Sequence, residues 1–127
     1  MKFFFKPRGI AIAGATPNRR KGGYAILYNV RQGFTGPIYP VNPRYDHIEG
    51  LACFPSVMDV PDPVDVAILF VPAPAVPDMV SQCARRGLRG VIVESGGFSE
   101  VGADGRSLQT RLHHISQETG LRVWGPN

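Results

Sequence analysis

The sequence has 127 residues, the size of one domain, and 43% of them are hydrophobic, so we expect a single domain over residues 1–127. Its net charge of +4 is mildly basic, and the absence of a broad basic surface with interleaved aromatics argues against a nucleic-acid partner. No apolar run has the length of a membrane span or a secretory signal. Cys53 and Cys83 form neither a metal-ligand spacing nor a C-x-x-C pair. We therefore expect a cytoplasmic protein with no membrane association and no metal site.

Short apolar runs alternate along the chain with patterns of helical period. Strands are expected at about 9–14, 37–41, 64–71, 90–94 and 121–124. Helices are expected at about 23–33, 75–86 and 105–119, and a single helical turn at 56–61. Pro40, near the end of the second strand, indicates an irregular strand or one near the sheet edge.

This alternation predicts an α/β fold. We expect a doubly wound, mostly parallel, five-stranded Rossmann-like sheet with helices on both faces and the strand order 3-2-1-4-5. Ligands bind such sheets at the carboxyl ends of the strands, where the order reverses, which here would be between the first and fourth strands. The loops at that edge would be Gly14–Gly23, Val41–Tyr45, Val71–Pro74, Ser95–Ser99 and Gly125–Asn127.

The loop after the first strand, within "AIAGATPNRRKGG" at residues 11–23, predicts a phosphate site. Gly14 permits a tight turn and a close backbone approach, and Thr16 offers a hydroxyl. Gly22 and Gly23 precede a helix whose N-terminus favours an anion. The loop also carries three consecutive cations, Arg19, Arg20 and Lys21. The alternative is a surface loop with incidental charge.

The loop lacks the signatures of two common phosphate sites. The G-x-G-x-x-G fingerprint of dinucleotide-binding domains is absent, and Val41-Asn42-Pro43 stands where an acidic residue would bind the ribose. The Walker A pattern is absent as well. These departures favour a phosphorylated nucleotide other than NAD.

Five segments in order carry a family resemblance: "GATPNRRKGGYAILYNV", "GPIYPVNPRYDHIEG", "SVMDVPDPVDVAILFVPAPAV", "GVIVESGGFSEVGADG" and "LRVWGPN". Together they resemble the N-terminal CoA-binding domain of NDP-forming acyl-CoA synthetases and, more distantly, the α subunit of succinyl-CoA synthetase. The resemblance covers nearly the whole chain. It implies that the ligand is coenzyme A or an acyl-CoA, whose pyrophosphate and 3′-phosphate suit a cationic loop.

The resemblance also implies which residues bind the cofactor. The first loop would wrap the pyrophosphate, the segment after the second strand would lie beside the adenosine end, and the residues after the third strand would pack on the adenine or the pantetheine. The loop after the fourth strand would line the thiol end, and the closing "GPN" would follow it. The residues concerned are Gly14, Ala15, Thr16, Arg19, Arg20, Lys21, Gly23, Asn42, Pro43, Arg44, Val71, Pro72, Ala73, Ser95, Gly96, Gly97, Phe98 and Asn127.

No catalytic residue is expected in this chain. The synthetases that it resembles act through a phosphorylated histidine on a later domain and need an ATP-grasp domain. His47, His113 and His114 have no nucleophile or orienting carboxylate beside them in the sequence, and structural or solvent roles are expected for all three. The domain would therefore be part of an acid–CoA ligase or related acyltransferase with further synthetase domains or subunits as partners, or a stand-alone relative.

Two other functions remain open from the sequence. The first is an NAD(P)-binding Rossmann domain of an oxidoreductase or redox sensor, which would share the fold and the first loop. The second is a protein-interaction domain whose nucleotide pocket is vestigial, a function that the three consecutive cations disfavour.

Overall fold

The structure is a computed structural model that describes residues 6–94 and 103–125. These residues form seven strands and three helices. The first half holds β1 (Ile10–Ala13), α1 (Gly22–Gly33), β2 (Ile38–Val41), β3 (His47–Ile48), β4 (Leu51–Ala52) and a 3-10 turn (Val57–Asp59). The second half holds β5 (Val66–Leu69), a 3-10 turn (Ala73–Ala75), α2 (Val76–Arg86), β6 (Gly90–Val93), α3 (Ala103–Thr119) and β7 (Arg122–Trp124). No helix in these residues is long and apolar enough to cross a bilayer.

Five parallel strands form the main sheet, in the order β2-β1-β5-β6-β7. The doubly wound α/β class and the parallel five-stranded sheet are confirmed. Counting only the strands of this sheet, the order is 2-1-3-4-5, which corrects the predicted 3-2-1-4-5 in the position of the third strand. The order therefore reverses between β1 and β5, and the switch point lies between the first and third strands rather than the first and fourth.

Two features explain why the third strand is inside the sheet. The outer side of β2 is occupied by Phe54, which forms a bridge with Val41 and donates its backbone N–H to the Pro40 carbonyl at 2.9 Å. The missing N–H of Pro40 thus lies on the side away from β1, as expected for an edge strand. The nearly continuous apolar run of β5, Val66–Leu69, suits a central strand that is covered on both faces.

Helices cover both faces of the sheet, as predicted. On one face, α1 contributes Leu27 to a core with Ile12, Ile48 and Cys53. On the other face, α2 and α3 pack on β1, β5 and β6 through a larger core that includes Val76, Val80, Cys83, Val91 and Leu112. Alternate residues of β1 face the two cores, so this strand lies at the centre of the domain.

The short hairpin of β3 and β4 was not predicted. Its turn, Glu49-Gly50, has positive φ at both residues, 51° and 79°, which is the backbone of a type I′ turn. Glutamate is not a residue that normally marks such a turn, so the pattern did not signal one. The hairpin buries Ile48 against α1 and leaves His47 exposed.

An ion pair ties strands together at the amino edge of the sheet. The Asp65 carboxylate, 4% exposed, accepts hydrogen bonds from the Arg8 backbone N–H at 2.8 Å and from its guanidinium at 2.6 Å. The Asp65 backbone binds Gly9 on one side and Arg89 and Gly90 on the other. Residues beside β1, β5 and β6 are thereby joined where these strands begin.

Candidate functional site

Close backbone contacts fold the first loop across the carboxyl edge of the sheet. Gly14 has φ +90°, and a Cβ there would lie 2.0 Å from the Phe70 carbonyl oxygen. A Cβ on Gly23 would lie 1.9 Å from the Gly14 carbonyl oxygen. Both positions therefore require glycine, because any side chain would push the loop or the helix off the end of the strands.

Side-chain hydrogen bonds hold the same loop in a defined turn. The backbone N–H of Asn18 donates to Thr16 Oγ1 at 3.2 Å, and that of Arg20 donates to Asn18 Oδ1 at 3.0 Å. From the neighbouring loop, Asn42 Nδ2 donates to the Ala15 carbonyl at 2.9 Å, while its Oδ1 accepts from the Arg44 N–H at 3.0 Å. Asn42 therefore couples the loops that follow β1 and β2.

The N-terminus of α1 is open toward this edge. Its N-cap residue, Lys21, makes no side-chain capping hydrogen bond, and the first turn contains no acidic residue. The N–H groups of a first helical turn have no partner within the helix, and the helix dipole makes this end positive. The helix begins with two glycines, at positions 22 and 23, and such a helix start suits an anion.

A polar cavity of about 390 Å³ lies beside the helix N-terminus. It holds the side chains of two cations, Lys21 and Arg44, and neither has an ion-pair partner among residues 6–94 and 103–125. The electrostatic field in the cavity is therefore positive. The residues that line it are Gly14, Thr16, Lys21, Gly23, Asn42, Arg44, Tyr45, Phe70 and Pro72.

An apolar cleft of about 360 Å³ adjoins the polar cavity and shares Gly14, Asn42 and Arg44 with it. Its walls come from the ends of β2 and β5, from the 3-10 turn at 57–59 and from α2. The other residues of this apolar cleft are Val41, Pro43, Pro55, Ser56, Val57, Leu69, Val71, Met79, Gln82 and Cys83. One cationic and one apolar compartment thus meet at the switch point of the sheet.

Burial raises the pKa of the Cys83 thiol to about 12, so it is protonated at neutral pH. Burial also raises the pKa of Cys53, although backbone hydrogen bonds with Asn42 and Phe54 oppose this increase. Because the thiolate is the reactive form, neither cysteine is suited to act as a nucleophile. Both cysteines are free, buried thiols.

Most of the predicted site residues that the structure describes lie along these two compartments. Gly14, Thr16, Lys21, Gly23, Asn42, Pro43, Arg44, Val71 and Pro72 line one or both of them. Ala15 is buried and contributes only its carbonyl, and Ala73 begins the second 3-10 turn. The predictions at Ser95, Gly96, Gly97, Phe98 and Asn127 lie outside the described residues.

The three consecutive cations have different surroundings. Lys21 lines the polar cavity, whereas the Arg19 guanidinium lies 5.8 Å from the centroid of the Tyr24 ring. Tyr24 in turn stacks on Tyr28, on the outer side of α1. Arg20 is exposed and lines neither compartment. Of this run, Lys21 alone lines the polar cavity.

Several lining residues were missed from the sequence, among them Tyr45, Phe70, Ser56, Met79 and Gln82. Tyr45 directly follows the predicted site segment 42–44, and Phe70 directly precedes the predicted segment 71–73, so adjacency to these segments was an available signal. Ser56 and Gln82 are 26 residues apart and meet only through tertiary packing. Nothing in their local sequence indicates this contact.

A separate cavity of about 420 Å³ lies on the outer side of α1, between Tyr24, Tyr28 and the hairpin turn. Its cation, Arg31, donates a hydrogen bond to the Glu49 carbonyl at 2.9 Å, so the guanidinium is already engaged. This cavity shares no lining residue with the two compartments at the carboxyl edge of the sheet, where the open cations and the helix N-terminus converge. The chemistry therefore favours the two compartments at that edge, although the α1 cavity is slightly larger.

Comparison with protein families gives a match over nearly the whole chain. The profile of a family described as "CoA binding domain" matches residues 8–127. An ADP-forming acetate–CoA ligase II of Archaeoglobus fulgidus is 43% identical over the whole of this chain, which covers 19% of that protein. The α subunit of an ADP-forming acetate–CoA ligase II of Pyrococcus furiosus is 36% identical, and the chain covers 28% of it. The chain thus spans 19% and 28% of the lengths of these two relatives.

Solved structures give the same result for the fold. A dinucleotide-forming acetyl-coenzyme A synthetase 1 of Ca. Korarchaeum cryptofilum, in complex with phosphate and ADP, superposes with a TM-score of 0.92 at 40% identity. The match covers 99% of this chain and 27% of that one. A conserved hypothetical protein of Pyrococcus furiosus superposes with a TM-score of 0.74 at 29% identity, over 95% of its own length.

Proposed function

Because this chain belongs to the family of CoA-binding domains, we propose that it binds coenzyme A across the two compartments at the carboxyl edge of its sheet. The observation that carries the proposal is the pairing of a cationic cavity with an adjoining apolar cleft. Coenzyme A has the matching division, since its pyrophosphate and 3′-phosphate are anionic while its base and pantetheine arm are far less polar.

The residues present fit the phosphates of this ligand. The close backbone contacts of Gly14 and Gly23 hold the first loop at the end of the strands, and the uncapped N-terminus of α1 supplies N–H donors. Lys21 is the N-cap residue of that helix, so its ammonium group suits the pyrophosphate. Arg44, on the loop after β2, suits the 3′-phosphate, because guanidinium binds phosphate oxygens bidentately.

The same geometry disfavours NAD. A dinucleotide-binding domain uses an acidic residue at the end of its second strand to bind the ribose hydroxyls. Here the first polar side chain after β2 is Asn42, and both ends of its amide are engaged by Ala15 and Arg44. Among residues 6–94 and 103–125, no carboxylate lines either compartment.

We further propose that the domain presents CoA or an acyl-CoA to an ADP-forming acid–CoA ligase. The support is that its relatives are the longer ligases and ligase subunits described above. In that role the domain binds and orients the thioester carrier, while phosphoryl transfer and acyl transfer are performed by other parts of the enzyme.

Titration calorimetry with CoA, dephospho-CoA and NAD tests CoA binding. We expect the order of affinity CoA, then dephospho-CoA, then NAD, with the 3′-phosphate contributing about tenfold, the size of a charge-assisted contact. The Arg44→Ala variant should bind CoA and dephospho-CoA equally, whereas Lys21→Ala should weaken both by the same factor. Absence of CoA binding at millimolar concentration, with NAD bound, would refute the proposal.

A further inference from the structure

Gln82, on α2, is a polar side chain in the wall of the apolar cleft. Its Oε1 lies 3.1 Å from Ser56 Oγ. The backbone N–H of Met58 donates to the same Ser56 Oγ at 3.1 Å. Because that N–H occupies a lone pair of the hydroxyl oxygen, the hydroxyl proton is available to donate to Gln82 Oε1. In this arrangement the Ser56 hydroxyl donates to Gln82 Oε1, so the amide oxygen faces Ser56.

The orientation leaves part of the amide unused. Gln82 Nε2 has no hydrogen-bond partner among the described residues. It is also accessible to solvent, because no unpartnered side-chain nitrogen or oxygen of these residues is fully buried. Oε1 also retains a second lone pair. A donor and an acceptor are thus available side by side, flanked by apolar groups such as Val71 and Met79. Such surroundings strengthen a hydrogen bond to a ligand.

The family resemblance implies that the adenosine end of CoA lies beside Asn42 and Arg44, which line the apolar cleft. With adenine in this cleft, we propose that Gln82 is the residue that selects adenine over other bases. The assignment rests on the proposed function, since it concerns which part of CoA enters the cleft. A glutamine amide pairs with adenine by donating N–H to a ring nitrogen and accepting the exocyclic N–H. Hypoxanthine has a carbonyl oxygen in place of that amine, so two acceptors would face each other.

The pantetheine arm does not offer the same match. Each of its amides is secondary and trans, so its N–H and C=O point in opposite directions and cannot pair together with one primary amide. The base, by contrast, is flat and has apolar faces. The thioether of Met79 gives the cleft a group that packs well against an aromatic ring.

The test compares CoA with its analogue in which hypoxanthine replaces adenine, by titration calorimetry. We expect the wild-type protein to bind CoA about tenfold more tightly than the analogue, within the range of one bidentate base contact. Gln82→Leu, which keeps the volume, should remove this preference, and Gln82→Ala should do the same. Gln32→Leu, on α1 outside the cleft, should leave the preference unchanged. Circular dichroism verifies that each variant is folded.

The outcomes separate this assignment from the proposed function. If the wild-type protein binds neither ligand, the proposed function fails and the assignment fails with it. If it binds CoA and the analogue equally, or if both Gln82 variants keep the preference, CoA binding stands and the assignment to Gln82 is overturned. An equal loss of both ligands in Gln82→Leu also overturns it, since this points to a contact with another part of CoA.

Discussion

The two edges of the sheet use the same kinds of residue in opposite ways. At the amino edge, the guanidinium of Arg8 is paired with the buried carboxylate of Asp65, and the charges satisfy each other. At the carboxyl edge, Lys21 and Arg44 have no carboxylate partner among the described residues, and close glycine contacts hold the loop instead. Charge contributes to cohesion at the first edge and remains available to a ligand at the second.

Gly14→Ala should disrupt the loop packing at the carboxyl edge and should have the largest effect on stability. A Cβ would lie 2.0 Å from the Phe70 carbonyl, on a residue whose φ is +90°. We expect the free energy of unfolding to fall by about 3 kcal/mol, from overpacking and left-handed backbone strain together. Urea denaturation measures it. The control is Gly33→Ala, where nothing lies within 4 Å of the added Cβ, and this variant should be at least as stable as the wild type.

Asp65→Ala removes the ion pair with Arg8 at the amino edge. The carboxylate accepts hydrogen bonds from both the backbone and the side chain of Arg8, so its removal should cost about 2 kcal/mol of unfolding free energy, typical for bonds to a charged group. CoA affinity should be unchanged, because the substitution is at the opposite edge. Asp46→Ala, at an exposed carboxylate, should change stability by less than about 0.5 kcal/mol. A loss of CoA affinity in a folded Asp65→Ala protein would contradict the separation of the two edges.

The pH dependence of stability should identify the same carboxylate. Hydrogen bonding from Arg8 lowers the pKa of Asp65 below its ordinary value of 3.8, although burial opposes this. A lowered pKa in the folded state means that the stabilisation is fully present above the unfolded-state pKa and is lost as the pH falls through the folded-state pKa. The difference in unfolding free energy between wild type and Asp65→Ala should therefore be constant near neutral pH and shrink below about pH 4. A constant difference down to pH 2 would exclude this linkage.

Lys21→Ala should weaken CoA binding about tenfold with little change in stability, since it removes an exposed charge rather than a packed group. Raising the salt concentration should reduce the difference between wild type and variant, because ions screen an exposed contact. Calorimetry at two ionic strengths measures both effects. Unchanged affinity at low salt would mean that this cation does not reach the ligand.

Arg19→Ala should have the smallest effect, within about twofold in CoA affinity, since the guanidinium lies over the Tyr24 ring and exposed pairs of this kind contribute little. Together with Lys21→Ala, it tests whether the cationic run acts as a unit or through one member. Comparable losses in the two variants would favour the run as a unit.

Much of this organisation was available from the sequence. The periods of the apolar residues predicted the five strands of the main sheet and the three helices to within a few residues, because each element has to bury one or two faces in a core. The glycine-rich loop, the absence of an acidic residue at Asn42 and the order of the short motifs pointed to a CoA-binding domain. These features are local, or they recur along the chain in a fixed order.

Tertiary structure decided what depends on residues distant in sequence. The strand order could not be predicted without the tertiary contact of Phe54, which occupies the outer side of β2, where the third strand of the sheet was expected. That strand, β5, pairs with β1 at the centre of the sheet instead. The sequence also could not show which cation of the first loop lines the cavity, because this depends on the contact between the Arg19 guanidinium and the Tyr24 ring. The hydrogen bond that orients Gln82 joins it to a residue 26 positions away. Local pattern determines which elements form, because backbone conformation and amphipathic burial act over a few residues, whereas strand order and side-chain partners follow from packing between elements that the pattern does not specify.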